Sequence, residues 1–237
     1  EEMQFMARKY LVEGHLTVAS VVPSSGEGGG ETSGGAAKAE FKPQVEEFAL
    51  SNGMRVVFRR NPAVPAFGLT IAFMAGSRLE PADKPGLANL ASEMLLRGTK
   101  TRTAAQIADE ISRTGGSFRV QGGRNTLLVN VEMLKEHLPI ALELSADVLM
   151  NPAFDAGELD NVKRLVKFQI DRMTRDAGGA TSIRFHKMIY GDHPYAHMPV
   201  GTAESIEKVG PEDLRAFVSR FATPDNCVVG VVGDLTA

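Results

Sequence analysis

The sequence has few of the residues that cross-link small domains, and no segment that would anchor it in a bilayer. It contains no tryptophan and one cysteine, Cys227, in 237 residues. A single thiol excludes an internal disulfide and a cysteine-rich metal site. The apolar neighbours Val228 and Val229 predict a small buried side chain at Cys227. No apolar run approaches the roughly 20 residues that a membrane-spanning helix requires, so we expect no membrane span.

An excess of positive charge is also missing. The chain carries 26 Lys and Arg against 29 Asp and Glu, for a net charge of −3, and the basic residues form no stripe. This balance argues against a nucleic-acid partner. The 43% of hydrophobic and 23% of charged residues are ordinary for a globular protein with its own core.

Composition divides the chain into three parts. Residues 24–40 are rich in Ser, Gly, Glu and Ala and have almost no apolar side chain, which predicts a flexible linker with a span of roughly 20–25 Å. The alternative is a disordered loop inside one domain. Residues 1–23 contain one β-rich run, Leu16–Val22, and are predicted to be the tail of a preceding unit. The main domain is expected over 41–237.

Within the main domain, strands and helices alternate in groups. Ser51-Asn52-Gly53 predicts a hairpin turn between strands at Val45–Leu50 and Met54–Arg60. Further strands are predicted over Phe67–Ala75, within Ser117–Met133 and over Val228–Val232. Helices are predicted over Leu87–Leu96, from Thr103 to Gly115, and over Lys135–Met150, Ala156–Met173, Ala180–Tyr190 and Pro211–Phe221. This order indicates an α+β fold with a mixed, largely antiparallel sheet layered with helices.

Helical spacing also predicts which side chains face the core. Two long helices each show one apolar stripe. The predicted stripes are Leu138, Ala141, Leu142, Ser145, Val148 and Leu149 in the first, and Leu159, Val162, Leu165, Val166 and Ile170 in the second.

A series of short motifs, from Ser51 to Asp234, gives the chain a family resemblance. The motifs are Asn52-Gly53-Met54, Ala75-Gly76-Ser77-Arg78 with Glu80, Gly86-Leu87-Ala88, Arg97-Gly98-Thr99, Gly115-Gly116, Phe154-Asp155, His193-Pro194-Tyr195, Gly201, Pro211-Glu212-Asp213-Leu214, Pro224-Asp225-Asn226 and Val232-Gly233-Asp234. In this order and at compatible spacings, they resemble the pitrilysin/insulinase family of zinc peptidases, which carry an inverted His-x-x-Glu-His motif. The resemblance implies a metallohydrolase domain like that of the mitochondrial processing peptidase.

In that family, two histidines four residues apart on one helix bind Zn²⁺ and the glutamate before the second activates water. A glutamate from a later helix is the third ligand. The resemblance puts Asn89 and Glu93 at the histidine positions, Ser92 at the base and Gln169 at the third ligand. A supporting glutamate is replaced by Val162.

These replacements predict a site without catalytic residues, cofactor or metal. Neutral amides are poor zinc ligands, a lone carboxylate gives no tight site, and an unassisted serine is no base near neutral pH. We expect Asn89, Ser92, Glu93 and Gln169 to hydrogen-bond to one another in a polar pocket. A residual or different metal site is the alternative. His193 and His197 flank Pro194 and are expected on the surface rather than as ligands.

The resemblance implies a role in a paired assembly, because family members close two homologous halves around a chamber. The chain is predicted to be a non-catalytic half that contributes chamber wall and substrate contacts. Its partner would be a catalytic, zinc-containing half, in the same polypeptide or a separate subunit. The alternatives are an active peptidase with non-standard ligands and a pure assembly module.

Two further expectations follow from the family. Peptide substrate could add to the strand between Gly115-Gly116 and Gly122-Gly123 if that strand lies at a sheet edge, although a neighbouring domain could cover the edge instead. Fused bacterial relatives are often exported, which favours the periplasm or cell envelope.

Overall fold

The computed structural model of the chain describes residues 45–236, which contain six strands and seven helices. The strands are β1 (Val45–Ala49), β2 (Arg55–Arg60), β3 (Ala66–Phe73), β4 (Ser117–Gly122), β5 (Leu127–Leu134) and β6 (Cys227–Gly233). The helices are α1 (Leu87–Met94), α2 (Ala104–Arg113), α3 (Leu138–Met150), α4 (Ala156–Arg175), α5 (Ala177–Tyr190), α6 (Ala203–Glu207) and α7 (Pro211–Phe221). None of the described helices is long and apolar enough to cross a membrane.

The six strands form one sheet in the order β1-β2-β6-β3-β5-β4. Every neighbouring pair is antiparallel except β2 and β6, which run parallel with Arg55 opposite Val228. The predicted mixed, largely antiparallel sheet is therefore confirmed. Among the described residues, β1 and β4 are its outer strands, so the condition stated for strand addition at β4, an edge position, is met.

The hairpin between β1 and β2 forms at the predicted Asn-Gly turn. Gly53 has a φ of 88°, a left-handed conformation that glycine adopts without a steric penalty. The Asn52 side chain accepts a hydrogen bond from the Met54 amide at 3.1 Å. These local interactions fix where β2 begins.

One face of the sheet carries the core. In β3, alternate residues Phe67, Leu69, Ile71 and Phe73 are buried, as a half-covered strand requires. They belong to one hydrophobic cluster with helix residues that include Leu90, Leu144 and Leu214. Cys227 lies in the same cluster, which confirms its predicted burial.

Two core predictions were wrong. Leu142 and Leu165 are 51% and 60% exposed, although both were assigned to buried stripes. The apolar stripes are narrower than the sequence suggested, and leucines beside them face outward.

Several boundaries also differ from prediction. α5 begins at Ala177 because Asp176 caps it, and α3 is preceded by a 3₁₀ turn at Lys135–His137. The short helix α6 was not predicted. The proposed tail, 1–23, and linker, 24–40, lie outside the described residues.

Candidate functional site

Helix α1 is held at its N-terminus by a side chain from an upstream loop. The two carboxylate oxygens of Glu80 accept hydrogen bonds from the backbone amides of Gly86, at 3.0 Å, and Ala88, at 2.6 Å. These amides belong to the first turn, where backbone donors have no partner within the helix. Gly86 has a φ of 98° and no room for a side chain, since a Cβ there would lie 2.7 Å from the Val200 carbonyl oxygen.

The environment of Glu80 is unusual for a carboxyl group. Burial raises its pKa from the ordinary 4.5 to about 7, against the hydrogen bonds from Ala88 and Gly86, which lower it. Desolvation therefore raises the pKa of Glu80 more than the helix N-terminus lowers it. In the sequence Glu80 stood out only as part of a motif, and its position seven residues before Leu87, the first residue of α1, was the available signal.

Helix α1 also packs tightly on the end of strand β4. A Cβ built at Gly122 would lie 2.8 Å from Ser92 Oγ and 2.9 Å from the Ala88 carbonyl oxygen. Glycine is therefore required where the edge strand passes the helix. This contact places the Ser92 face of α1 beside the end of β4.

The four residues at the predicted metal and base positions lie on two helices that contact each other. Asn89, Ser92 and Glu93 lie on α1, and Gln169 lies on α4. Asn89 is half-buried, Ser92 is buried, and Glu93 and Gln169 are exposed. Gln169 also lines a surface cavity of about 760 Å³ with Phe168, Arg172, Met173 and Asp176.

The predicted hydrogen-bond network among these four side chains was wrong. Ser92 Oγ donates to the backbone carbonyl of Asn89 at 2.8 Å, one turn back along the same helix. Glu93 and Gln169 form no hydrogen bond within residues 45–236. Asn89 Nδ2 is buried and has no partner among the described residues.

This arrangement does not fit a zinc ion. The inward-facing atom of Asn89 that lacks a partner, Nδ2, is a hydrogen-bond donor, whereas a cation requires an electron-pair donor. Glu93 alone supplies an anionic oxygen. Within residues 45–236, no three His, Cys, Asp or Glu side chains come together as a metal site would require. The side chains at these positions, rather than the course of the backbone, are therefore unsuited to binding zinc.

The expected surface histidines are exposed loop residues. His193 caps a 3₁₀ turn by accepting the Tyr195 amide hydrogen bond at its Nδ1, at 3.2 Å, and His197 follows the turn. The Tyr195 hydroxyl donates to Asn125 at 2.6 Å, and Arg124 donates to the Tyr195 and His197 carbonyls. These bonds attach the segment after α5 to the β4–β5 turn, a link that sequence patterns did not reveal.

Comparison with known proteins identifies the fold and the family together. The model of the insulinase family of peptidases, family M16, matches residues 55–200, more than half of the chain. This chain belongs to the insulinase family. The zinc protease YmxG of Bacillus subtilis is similar to it, at 28% identity over 81% of this chain and 47% of that protein. A zinc protease of Mycobacterium leprae is 30% identical over 84% of this chain and 44% of that protein.

Solved structures agree with this assignment. The inactive domain of a peptidase M16 from Pseudomonas fluorescens is 29% identical, with a TM-score of 0.78, over 81% of this chain and 47% of that chain. The periplasmic protease PqqL of Escherichia coli shares the fold, with a TM-score of 0.75 at 20% identity, over 81% of this chain and 22% of that chain. This insulinase-family chain spans about half the length of the two zinc proteases and of the Pseudomonas fluorescens domain, and a smaller share of PqqL.

Proposed function

We propose that this chain is a non-catalytic insulinase-family domain, from the half of a two-part zinc peptidase that lacks the metal. The observation that carries the proposal is the residue set at the family's metal positions. Asn89, Glu93 and Gln169 supply one carboxylate and two amides, and Ser92 replaces the base. The catalytic zinc would then belong to a homologous partner half.

Two further observations support the proposal. The Pseudomonas fluorescens neighbour, whose name describes it as an inactive domain, is similar over most of this chain. The α1 framework is also retained, with Glu80 at its N-terminus and Gly122 against its side. A retained framework without metal ligands fits a domain that has kept a structural role in forming a chamber wall.

The proposal is tested with the purified chain. After dialysis against Zn²⁺ and removal of free metal, we expect no stoichiometric zinc by mass spectrometry and no hydrolysis of casein or of quenched fluorescent peptides. The contrary result is hydrolysis that is lost in Ser92→Ala or Glu93→Ala and kept in Ser219→Ala, a matched control at an exposed position of α7. That pattern would establish an active peptidase with non-standard ligands.

A second function is favoured by the edge position of β4. An outer strand has one row of backbone groups free to pair, and an extended peptide can add to it without a metal. We expect calorimetry to detect binding of an unstructured peptide, and to detect none for the same peptide N-methylated at alternate residues. Equal binding of both peptides would exclude strand addition.

The proposed location follows from a relative. PqqL is a periplasmic protease by name, and the periplasm is accordingly our proposed compartment for this chain. Fractionation of the source cells tests this, with the chain expected in the osmotic-shock fraction.

A further inference from the structure

A cleft with an apolar floor and two cations lies between the end of α3 and α7, and we name it the α3–α7 cleft. Its volume of about 370 Å³ falls in the range of roughly 300–1,000 Å³ that is usual for small-ligand pockets. The former metal and base positions are not among the described residues that line it, so the cleft is separate from the site described above. The apolar lining includes Leu149, Met150, Pro152 and Phe154.

Hydrogen bonds to the backbone fix the walls of the α3–α7 cleft. The Lys100 amide donates to the Asn151 carbonyl at 2.9 Å, and the Ala153 amide donates to the Gly98 carbonyl at 3.0 Å. The Arg215 guanidinium donates to the Ala153 carbonyl at 2.7 Å, which ties α7 to the same loop. Because its walls are already held in place, the cleft would lose little conformational entropy on binding a ligand.

The floor of the cleft contains a residue in a strained backbone conformation. Phe154 has a φ of 47°, and within residues 45–236 it is the one residue other than glycine with a positive φ. A bulky residue keeps this conformation only where the surrounding structure holds it, which is frequent at ligand sites. The Phe154 side chain is buried, and the central guanidinium carbon of Arg215 lies 5.9 Å from its ring centroid, a cation–π distance.

The two basic side chains of the cleft are poorly neutralised. Lys100 is exposed, and its ammonium group forms no hydrogen bond or ion pair within residues 45–236. Arg215 Nε lies 3.4 Å from a carboxylate oxygen of Glu212, but the Glu212 side chain is 90% exposed, and such surface pairs contribute little. The described lining of the cleft includes no acidic residue. The cleft therefore presents positive charge beside an apolar floor.

This combination suits a ligand that is apolar at one end and anionic at the other. We propose that the α3–α7 cleft binds the C-terminal residue of a peptide, with an apolar side chain on the floor and the terminal carboxylate at Lys100 and Arg215. Ammonium and guanidinium groups both donate strong, charge-assisted hydrogen bonds to a carboxylate. Peptide cleavage produces free C-termini, and the chain belongs to a peptidase family, which favours a peptide over a fatty acid as the source of the carboxylate. The proposal holds whether or not the chain is itself catalytic.

The experiment titrates the purified chain with N-acetyl-alanyl-leucine, a dipeptide too short to form a strand against β4. Calorimetry should show binding of the free acid, and affinity lower by at least about tenfold for the C-terminal amide, which lacks the charge. In NMR spectra of methyl-labelled methionine, the Met150 signal should shift on binding while that of Met188, on α5, stays in place. Equal affinity for acid and amide, no binding at millimolar concentration, an unshifted Met150 signal, or binding of octanoate without the dipeptide would each overturn the inference.

Two matched pairs of variants locate the site. Lys100→Gln should weaken binding of the dipeptide by about fivefold or more, whereas Lys208→Gln, at another exposed lysine, should leave it unchanged. Met150→Glu should abolish binding by placing a like charge at the carboxylate, and Met188→Glu should not. Met150 and Met188 are 76% and 78% exposed, so neither change disturbs the core, and equal thermal midpoints check this. Unchanged binding in Lys100→Gln and Met150→Glu, or equal losses within each pair, would exclude the cleft.

Discussion

Helices α1 and α5 differ sharply in how much of each helix is buried. Six of the eight residues of α1 are buried, and its N-terminus is capped by a half-buried carboxyl group, that of Glu80. None of the 14 residues of α5 is buried. The helix that contains three of the predicted metal and base positions is thus part of the core. The domain leaves exposed a helix whose apolar face has no partner among the described residues.

The largest expected effect tests whether α1 still has the geometry of a metal site. Substituting Asn89→His, Ser92→Glu, Glu93→His and Gln169→Glu together should raise bound zinc from near zero to about one ion per chain, because three ligands then converge. Metal analysis after dialysis measures this. The same protein without Gln169→Glu is the control and should bind more weakly. No zinc uptake by the fourfold variant would mean that α1 and α4 no longer face a common point.

The second-largest effect is expected from truncating a core residue of α1. Leu90 is fully buried, and Leu90→Ala should lower the free energy of unfolding by about 2–5 kcal/mol through lost transfer energy and a cavity. Urea denaturation of the isolated chain measures the change. A loss below about 1 kcal/mol would contradict the packing of α1 described above.

The capping of α1 predicts a pH dependence. The pKa of Glu80 is raised to about 7 in the folded protein, so the folded state holds this proton more tightly than the unfolded state. The contribution of Glu80 to stability should therefore be largest below about pH 4.5 and decrease by up to about 3 kcal/mol as the pH rises to about 7. In Glu80→Gln this part of the pH profile should flatten, whereas exposed Glu136→Gln should retain it. Superimposable profiles for Glu80→Gln and the parent chain would contradict the raised pKa.

A smaller effect tests the contact between α1 and the edge strand. Gly122→Ala places a methyl group within 3 Å of Ser92 Oγ and the Ala88 carbonyl, and should cost about 1–3 kcal/mol of stability. Gly68→Ala, in β3 with open space around it, is the matched control and should change stability little. Equal thermal midpoints for the two variants would show that α1 does not press against β4.

The smallest effect is expected on α5 itself. In the isolated chain, Ile189→Ser should change the free energy of unfolding by no more than about 0.5 kcal/mol, because this side chain is already in water. Urea denaturation alongside Leu90→Ala gives the comparison. A loss as large as that of Leu90→Ala would show that α5 is packed in this chain alone.

Much of the fold followed from local pattern. The Asn52-Gly53 turn, the strand β3 and the start of α2 after Thr103 each depend on residues close together in the chain, and each formed close to where it was expected. The sequence pattern did not predict which side chains at the borders of the apolar helix stripes are exposed. Leu165 matches helical spacing as well as Val166 does, yet it lies on the open side of α4. The spacing of apolar residues predicts which side of a helix faces the core. How much of that side is buried depends on the neighbouring helices that pack against it.

The sequence by itself determined the order of the strands and of the longer helices and the family, because these depend on residue type and spacing along the chain. The tertiary structure decided which groups lost contact with water. It half-buried Glu80 at the start of α1, left Asn89 Nδ2 without a hydrogen-bond partner among residues 45–236, and left Phe185, Met188 and Ile189 of α5 exposed. Burial depends on contacts between segments that are distant in sequence, and no local spacing rule contains that information.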